Sequence, residues 1–277
     1  MTIGAALENE RKKIGHDQNK KLELELLLAF ILQCDRAFLL INYQKEISDT
    51  DLKKYQQLSK KLLNDWPLAY LIGEREFYGR SFLVNPATLI PRPESEMIVD
   101  LVKEEVEKYS TATLIDIGTG SGCLIISLAA ELKKKFTYYG LDISEKALTV
   151  AKTNAKINKV KINFRQSDLL KNLPKQKGPV FLIANLPYLT KEQVAREVSI
   201  KKEPKSALIS GSDGFKDYRR LFKQIIERPD LQDFYLIIEI DPSQKKIATE
   251  EVKKYFPKKK LIFIKDLRKK IRFAIVK

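Results

Sequence analysis

The stretch "TLIDIGTGSG", residues 113–122, begins as a buried apolar strand, meets an acid at Asp116 and turns through Gly118, Gly120 and Gly122. Alternate glycines permit a tight turn and close approach of a ligand to the backbone, and the helix that follows starts with N–H groups that lack intrahelical partners. This is the opening of a strand–turn–helix unit. The alternation continues to the end of the chain, where "TYYGLDI", "VKINF", "VFLIA", "FYLIIEI", "LIFI" and "IRFAIV" are further strand candidates, most of them separated by helical stretches. The expected fold class is α/β, a mostly parallel seven-stranded sheet covered by helices on both faces. The last two candidates lie too close together for a crossover helix and predict an antiparallel C-terminal hairpin.

Upstream the pattern differs. "NKKLELELLLAFILQC" and "DLKKYQQLSKKLLND" carry apolar residues at helical spacing, the second with N-cap chemistry at Ser48 to Asp51, so residues 1–72 are expected to form a small N-terminal helical domain. From "PLAYLIG" onwards, aromatic and β-branched residues punctuated by Gly79, Pro86, Pro91 and Pro93 read as a hairpin-like connector over residues 73–94. A helix restarts at Pro93, with Glu94 and Glu96 suited to its dipole, and residues 95–277 form the α/β domain.

Composition narrows the chemistry. With 277 residues, 44% of them hydrophobic, the chain can build one large core and one smaller. No apolar run approaches the roughly 20 residues of a membrane helix, and "MTIGAALENERKK" lacks the order of a secretory leader, so a cytoplasmic protein without membrane association is expected. Cys34 and Cys123 have no paired spacing and His16 is the single histidine, which leaves no disulfide framework, no metal site and no Ser-His-Asp or Cys-His hydrolase. The net charge is +15, carried by lysine groups such as those at 133–135 and 258–260. It reads either as weak RNA or ribosome association or as solvated helix faces, since no aromatic residues are interleaved with the clusters. A monomer is the default.

In open sheets of this kind ligands bind beyond the carboxyl ends of the strands. The glycine loop alone fits either a dinucleotide site or a plain tight turn. Its spacing, with Thr119 and Ser121 between the glycines, Cys123 at the position of the fingerprint's last small residue and Asp116 in front, suits the amino-acid end of S-adenosyl-L-methionine (SAM) better than a pyrophosphate. Asp142, followed by Ile143, stands after the second strand, where an acid can take both ribose hydroxyls. After the third, Asp168 and Leu169 can border an adenine ring, with a helix N-cap as the other reading of Asp168.

The fourth strand ends in "FLIANLPY", residues 181–188. The Asn185 side-chain oxygen and the Leu186 carbonyl can each accept one N–H from a planar –NH₂ group, turning its nitrogen lone pair towards a methyl donor. Pro187 stiffens the turn and keeps Leu186 extended, and Tyr188 can stack on a flat amide or base. Displacement at a sulfonium methyl needs alignment and no general base, in keeping with the scarcity of histidine.

Across nearly the whole length, "PLAYLIGEREFYG", "LVNPATLIPRPESE", "DIGTGSG", "LDIS", "SDLL", "NLPY", "KEPKSALISGSDGFKDYRRL" and "KDLRKKIRF" resemble the release-factor glutamine methyltransferase family, protein-(glutamine-N5) methyltransferases acting on the Gly-Gly-Gln glutamine of peptide chain release factors in translation termination. The resemblance implies a Rossmann-like SAM-dependent methyltransferase fold, a substrate-recognising N-terminal domain, SAM as methyl donor with S-adenosyl-L-homocysteine as product, and release factors as partners. It assigns Gly118 to Gly122 and Asp142 to SAM, Leu169 to the adenine edge, and Asn185 through Tyr188 to the target glutamine. Arg92 and Glu94 fall in a signature near the active-site mouth, where a connector and a helix start are the alternative. Three positions depart from the family pattern. Leu186 replaces a proline but still supplies a carbonyl, while Asp241 and Lys269 stand where glycines are usual and bear on local turn geometry. The rival readings are a methyltransferase for the adenine exocyclic amine in RNA or DNA, and a non-enzymatic binding module on a decayed version of the fold.

Overall fold

The structure, a computed structural model, describes residues 1–132 and 136–277, so the lysine cluster at 133–135 lies outside the described residues. The chain divides into two compact units, Met1–Gly73 with Val198–Lys202, and Glu74–Glu197 with Glu203–Lys277. Among the described residues no helix is long and apolar enough to cross a membrane.

The first unit contains helices α1 (Ile3–Arg11), α2 (Gln18–Ile31), α3 (Arg36–Ile41), α4 (Asp49–Leu63) and α5 (Leu68–Ile72). Four of them start at a side chain that accepts the N–H three residues on, from Thr2, Asp17, Asp35 and Ser48, which satisfies a donor the helix itself cannot. Their apolar faces meet in a core that includes Leu7, Leu24, Leu28, Leu39 and Tyr55.

The second unit opens with a hairpin of β1 (Glu74–Phe77) and β2 (Arg80–Leu83), where Phe77 pairs with Arg80. The intervening Tyr78 and Gly79 have φ of 51° and 67°, and a two-residue hairpin of this kind needs positive φ at both positions. Tyr78 tolerates it because its N–H donates to Glu96 at 2.9 Å and its hydroxyl to Asp100 at 2.6 Å. After α6 (Glu96–Val106) come β3 (Thr113–Ile117), α7 (Cys123–Glu131), β4 (Thr137–Asp142), α8 (Glu145–Ile157), β5 (Asn163–Gln166), β6 (Val180–Ala184), α9 (Lys191–Arg196), α10 (Lys216–Ile226), β7 (Phe234–Glu239), α11 (Lys245–Tyr255), β8 (Leu261–Lys265) and β9 (Ile271–Val276). The seven strands from β3 onwards lie in the order β5-β4-β3-β6-β7-β9-β8. The first five are parallel, and β9 inserts antiparallel between β7 and β8, the closing hairpin expected from the short connection. The strand read at "VKINF" lies three residues further on, at Asn163–Gln166, as an exposed edge whose few apolar residues mark its limits poorly.

Successive side chains on a strand face opposite sides, and both sides of this sheet are buried. Ile115, Leu182, Leu236 and Ile238 pack against α10 and α11, while Leu114, Phe181, Ile183 and Ile237 pack against α6, α7 and the β1–β2 hairpin. Of the two glycine positions filled by larger residues, Asp241 sits at φ −68° as a cap that accepts the Ser243 N–H, whereas Lys269 adopts φ +62° in the β8–β9 turn. Asn154 on α8 is fully buried and ties three segments together. Its Oδ1 accepts the Leu83 N–H at 2.8 Å, and its Nδ2 donates to the Leu83 carbonyl at 3.0 Å and the Ser121 carbonyl at 2.9 Å. Asn154→Ala leaves these groups without partners and is expected to lower unfolding free energy by about 2–4 kcal/mol in urea titrations; a change under about 0.5 kcal/mol contradicts this tie.

Candidate active site

The carboxyl ends of the parallel strands surround a cavity of about 360 Å³. At the end of β3 the Gly118 and Thr119 N–H groups both donate to the Leu141 carbonyl, at 2.8 and 2.9 Å, and the Gly120 N–H donates to Asp142 Oδ2 at 2.9 Å. The loop N–H groups are therefore mostly spent on fastening the loop to β4, and the donors left for a ligand are those at the start of α7. Gly122 starts that helix at φ +82°, and a Cβ there would come within 2.7 Å of Ile126 and 3.3 Å of Ala151, so a glycine is required twice over.

Asp116 lies beneath the loop rather than in the cavity lining. Its Oδ2 accepts the Thr119 hydroxyl at 2.6 Å, while its Oδ1 is buried and accepts no hydrogen bond among the described residues. Burial pushes its carboxyl up to about 7, against the Thr119 bond and helped by the nearby Asp142. Asp142 does line the cavity. Each of its oxygens accepts one loop N–H, from Gly120 and Ser144, which leaves a carboxylate room for further donors, and burial raises its pKa as well. Ile143 beside it is 63% exposed, and Leu169 on the cavity wall is held at φ +57°. Asp168 also borders the cavity, but its oxygens hold Arg220 at 2.6 and 2.7 Å and Lys171 at 2.8 Å, and the Lys171 bond, then Arg220, keeps its pKa low. Cys123 lines the cavity, and burial pushes its thiol up to about 12, in favour of the neutral thiol.

The fourth strand brings Asn185, Leu186 and Pro187 to the wall. Both Asn185 Nδ2–H groups are used, one on Glu239 Oε2 at 3.0 Å and one on Ser95 Oγ at 3.1 Å. Its Oδ1 is thereby turned the other way, and no described residue donates to it or to the Leu186 carbonyl. The Leu186 N–H donates to the Tyr218 hydroxyl at 3.3 Å, and its side chain packs over Gly118, where an added Cβ would meet it at 3.0 Å. Tyr188 is not part of the lining; its hydroxyl donates to Glu239 Oε1 at 3.0 Å. Arg92 lines the cavity and pairs with the buried Glu203, whereas Glu94 lies outside the lining, close enough to Glu239 to raise its pKa further.

Glu239 escaped the sequence reading. It ends β7 and is buried, and besides Asn185 and Tyr188 it receives the Ser95 hydroxyl at 2.6 Å; burial raises its pKa. The signal is the lone carboxylate within the apolar run "FYLIIEI", at the carboxyl end of a parallel strand. Since Ala184 pairs with Ile238, the residues one step further on, Asn185 and Glu239, are neighbours.

Comparison with known proteins sets this geometry in a family. Residues 8–73 match the PrmC N-terminal domain and residues 108–202 a methyltransferase domain. A release factor glutamine methyltransferase of Koribacter versatilis is 35% identical over 233 residues, covering 82% of each chain, and that of Bacillus subtilis is 33% identical over 268 residues, covering 93% of this chain and 90% of its own. The chain belongs to the release factor glutamine methyltransferase family. A solved structure of the N-terminal domain of human METTL16 in complex with SAH shares the fold at a TM-score of 0.52 and 15% identity, over 90% of this chain and 92% of that one.

The Asp116 carboxyl gives a pH test. Its folded value of about 7 lies above the ordinary 3.8, so the folded chain holds this proton more tightly than the unfolded one, and stability is lost as pH rises between those values. Relative to the parent, Asp116→Asn should gain roughly 5 °C or more in Tm between pH 5 and pH 8. A difference that does not change with pH contradicts the burial argument.

Proposed function

We propose that this chain transfers the methyl group of SAM to the side-chain amide nitrogen of the glutamine in the Gly-Gly-Gln motif of peptide chain release factors, in support of translation termination. One observation carries the reading: Asn185 spends both of its amide N–H groups on Glu239 and Ser95, which leaves its oxygen, with the Leu186 carbonyl, as a pair of unused acceptors at the cavity wall. The relatives bear the name of the substrate.

The residues fit SAM. Asp116, beneath the loop, shapes the seat of its amino-acid end through the Thr119 bond, Asp142 has capacity left for ribose hydroxyls, and Ile143 and Leu169 offer apolar surface for the adenine. When bound, SAM supplies an electrophilic methyl on a sulfonium sulfur. The chain has to make a poor nucleophile competent, because the lone pair of an amide nitrogen is delocalised into its carbonyl. Asn185 Oδ1 and the Leu186 carbonyl each take one N–H of the glutamine amide, fix its plane and stabilise the positive charge that grows on the nitrogen. Pro187 holds Leu186 extended, and Tyr188, behind the cavity wall, steadies the turn through its hydroxyl bond to Glu239. The proton leaves to water afterwards, so no side-chain base is assigned.

Arg92 and Glu94 border the substrate entrance; in sequence, residues 1–72 form the domain that recognises the release factor, and residues 73–94 join it to the catalytic domain, 95–277. The enzyme acts as a cytoplasmic monomer, and its charge of +15 gives it a weak, salt-sensitive attraction to RNA or the ribosome.

Incubation of a release factor with the enzyme and SAM, followed by tandem mass spectrometry, should place one added methyl on the Gly-Gly-Gln glutamine. Asn185→Ala should reduce that turnover by about two orders of magnitude or more while leaving SAM affinity within about twofold. Methyl on another residue, or equal loss of turnover and affinity, contradicts the assignment.

A further inference from the structure

We infer that the turn between β8 and β9 docks an acidic surface of the protein substrate beside the methyl-accepting loop, an inference that rests on the function proposed above. The turn spans Asp266 to Lys270 and stands beyond the carboxyl end of β7, on the same end of the sheet as the cavity, because β9 pairs Phe273 with Glu239 and its Arg272 carbonyl accepts the Ile240 N–H at 2.8 Å. Four cations, Lys265, Arg268, Lys269 and Lys270, are exposed around it, and none pairs with a carboxylate among the described residues.

The one acid in the turn cannot neutralise them. Asp266 is buried, its Oδ1 accepts the Lys270 N–H at 2.9 Å, and its Oδ2 faces Arg272 Nε at 3.5 Å. Together with backbone bonds at 2.8 Å from Asp266 N–H to the Lys270 carbonyl and from Lys269 N–H to the Asp266 carbonyl, this makes the turn a preformed platform. At its tip Leu267 is 93% exposed, the highest value of any large apolar side chain among the described residues. Lys269 holds φ +62°, a conformation glycine would adopt without cost, and non-glycine residues held there gather at binding sites.

An apolar tip ringed by unpaired cations matches an acidic protein surface with a small apolar recess. Recognition of single-stranded RNA draws on aromatic stacking platforms, and the segment from Lys265 to Lys270 has no aromatic residue.

The test is a triple variant, Leu267→Ser, Arg268→Ser and Lys270→Ser, which changes only exposed side chains and keeps the Asp266 bonds. Its KM for an intact release factor should rise about tenfold, with kcat and the calorimetric affinity for SAM unchanged, and the KM of the parent should rise with salt more steeply than that of the variant. Methylation with an unchanged KM overturns the docking role alone, as does an unchanged KM with lost affinity for a ribosomal RNA fragment. A parent enzyme that methylates no release factor overturns the proposed function and this role with it.

Discussion

Three donors converge on a buried carboxylate, that of Glu239, and the conformations around the cavity follow from that convergence. A carboxylate removed from water is costly unless it is hydrogen-bonded, so Ser95, Asn185 and Tyr188 are held by a group that has no other way to be satisfied. For Asn185 the consequence is directional. Its amide has one donor end and one acceptor end, and Glu239 fixes which of them faces the cavity. The three donors belong to the start of α6, the turn after β6 and the ring of Tyr188, so one side chain coordinates parts that are 90 residues apart in sequence.

Sheet register makes this arrangement possible. Parallel pairing of β6 with β7 sets Asn185 beside Glu239, and pairing of β3 with β6 sets Ala184 beside Ile117, which brings Leu186 over Gly118. Tyr218, on α10, braces the same edge, its hydroxyl lying between the carbonyls of Ala184 and Glu239 while it accepts the Leu186 N–H. The leucine at position 186 thus costs the turn one proline ring and gains a packed, buried side chain. The local chain direction is held by neighbours instead of by a second ring.

Much of this was legible in the sequence because it is written in local patterns. The β-strands stand out as apolar runs buried on both faces, the helical unit by its spacing and caps, and the loop by its alternate glycines. What escaped depends on tertiary pairing. Glu239 looks like a strand-ending acid until the register sets it beside Asn185, and Asn154 looks like a polar helix residue until β2 and the glycine loop pack onto it. Asp168 suits the border of an adenine ring or a helix N-cap by its place in the sequence, and only the tertiary packing commits its oxygens to Arg220, 52 residues on. The glycine-loop N–H groups are largely spent on β4, which only the geometry of the strand ends determines, and the donors expected at the start of the next helix are the ones left for a ligand.

The most direct test of the account is a crystal structure of the enzyme with S-adenosyl-L-homocysteine and a Gly-Gly-Gln peptide. The account predicts the glutamine amide nitrogen within about 3 Å of both Asn185 Oδ1 and the Leu186 carbonyl, with the Asn185 amide nitrogen still on Glu239. A glutamine bound elsewhere, or an Asn185 amide turned to give its nitrogen to the substrate, would contradict it.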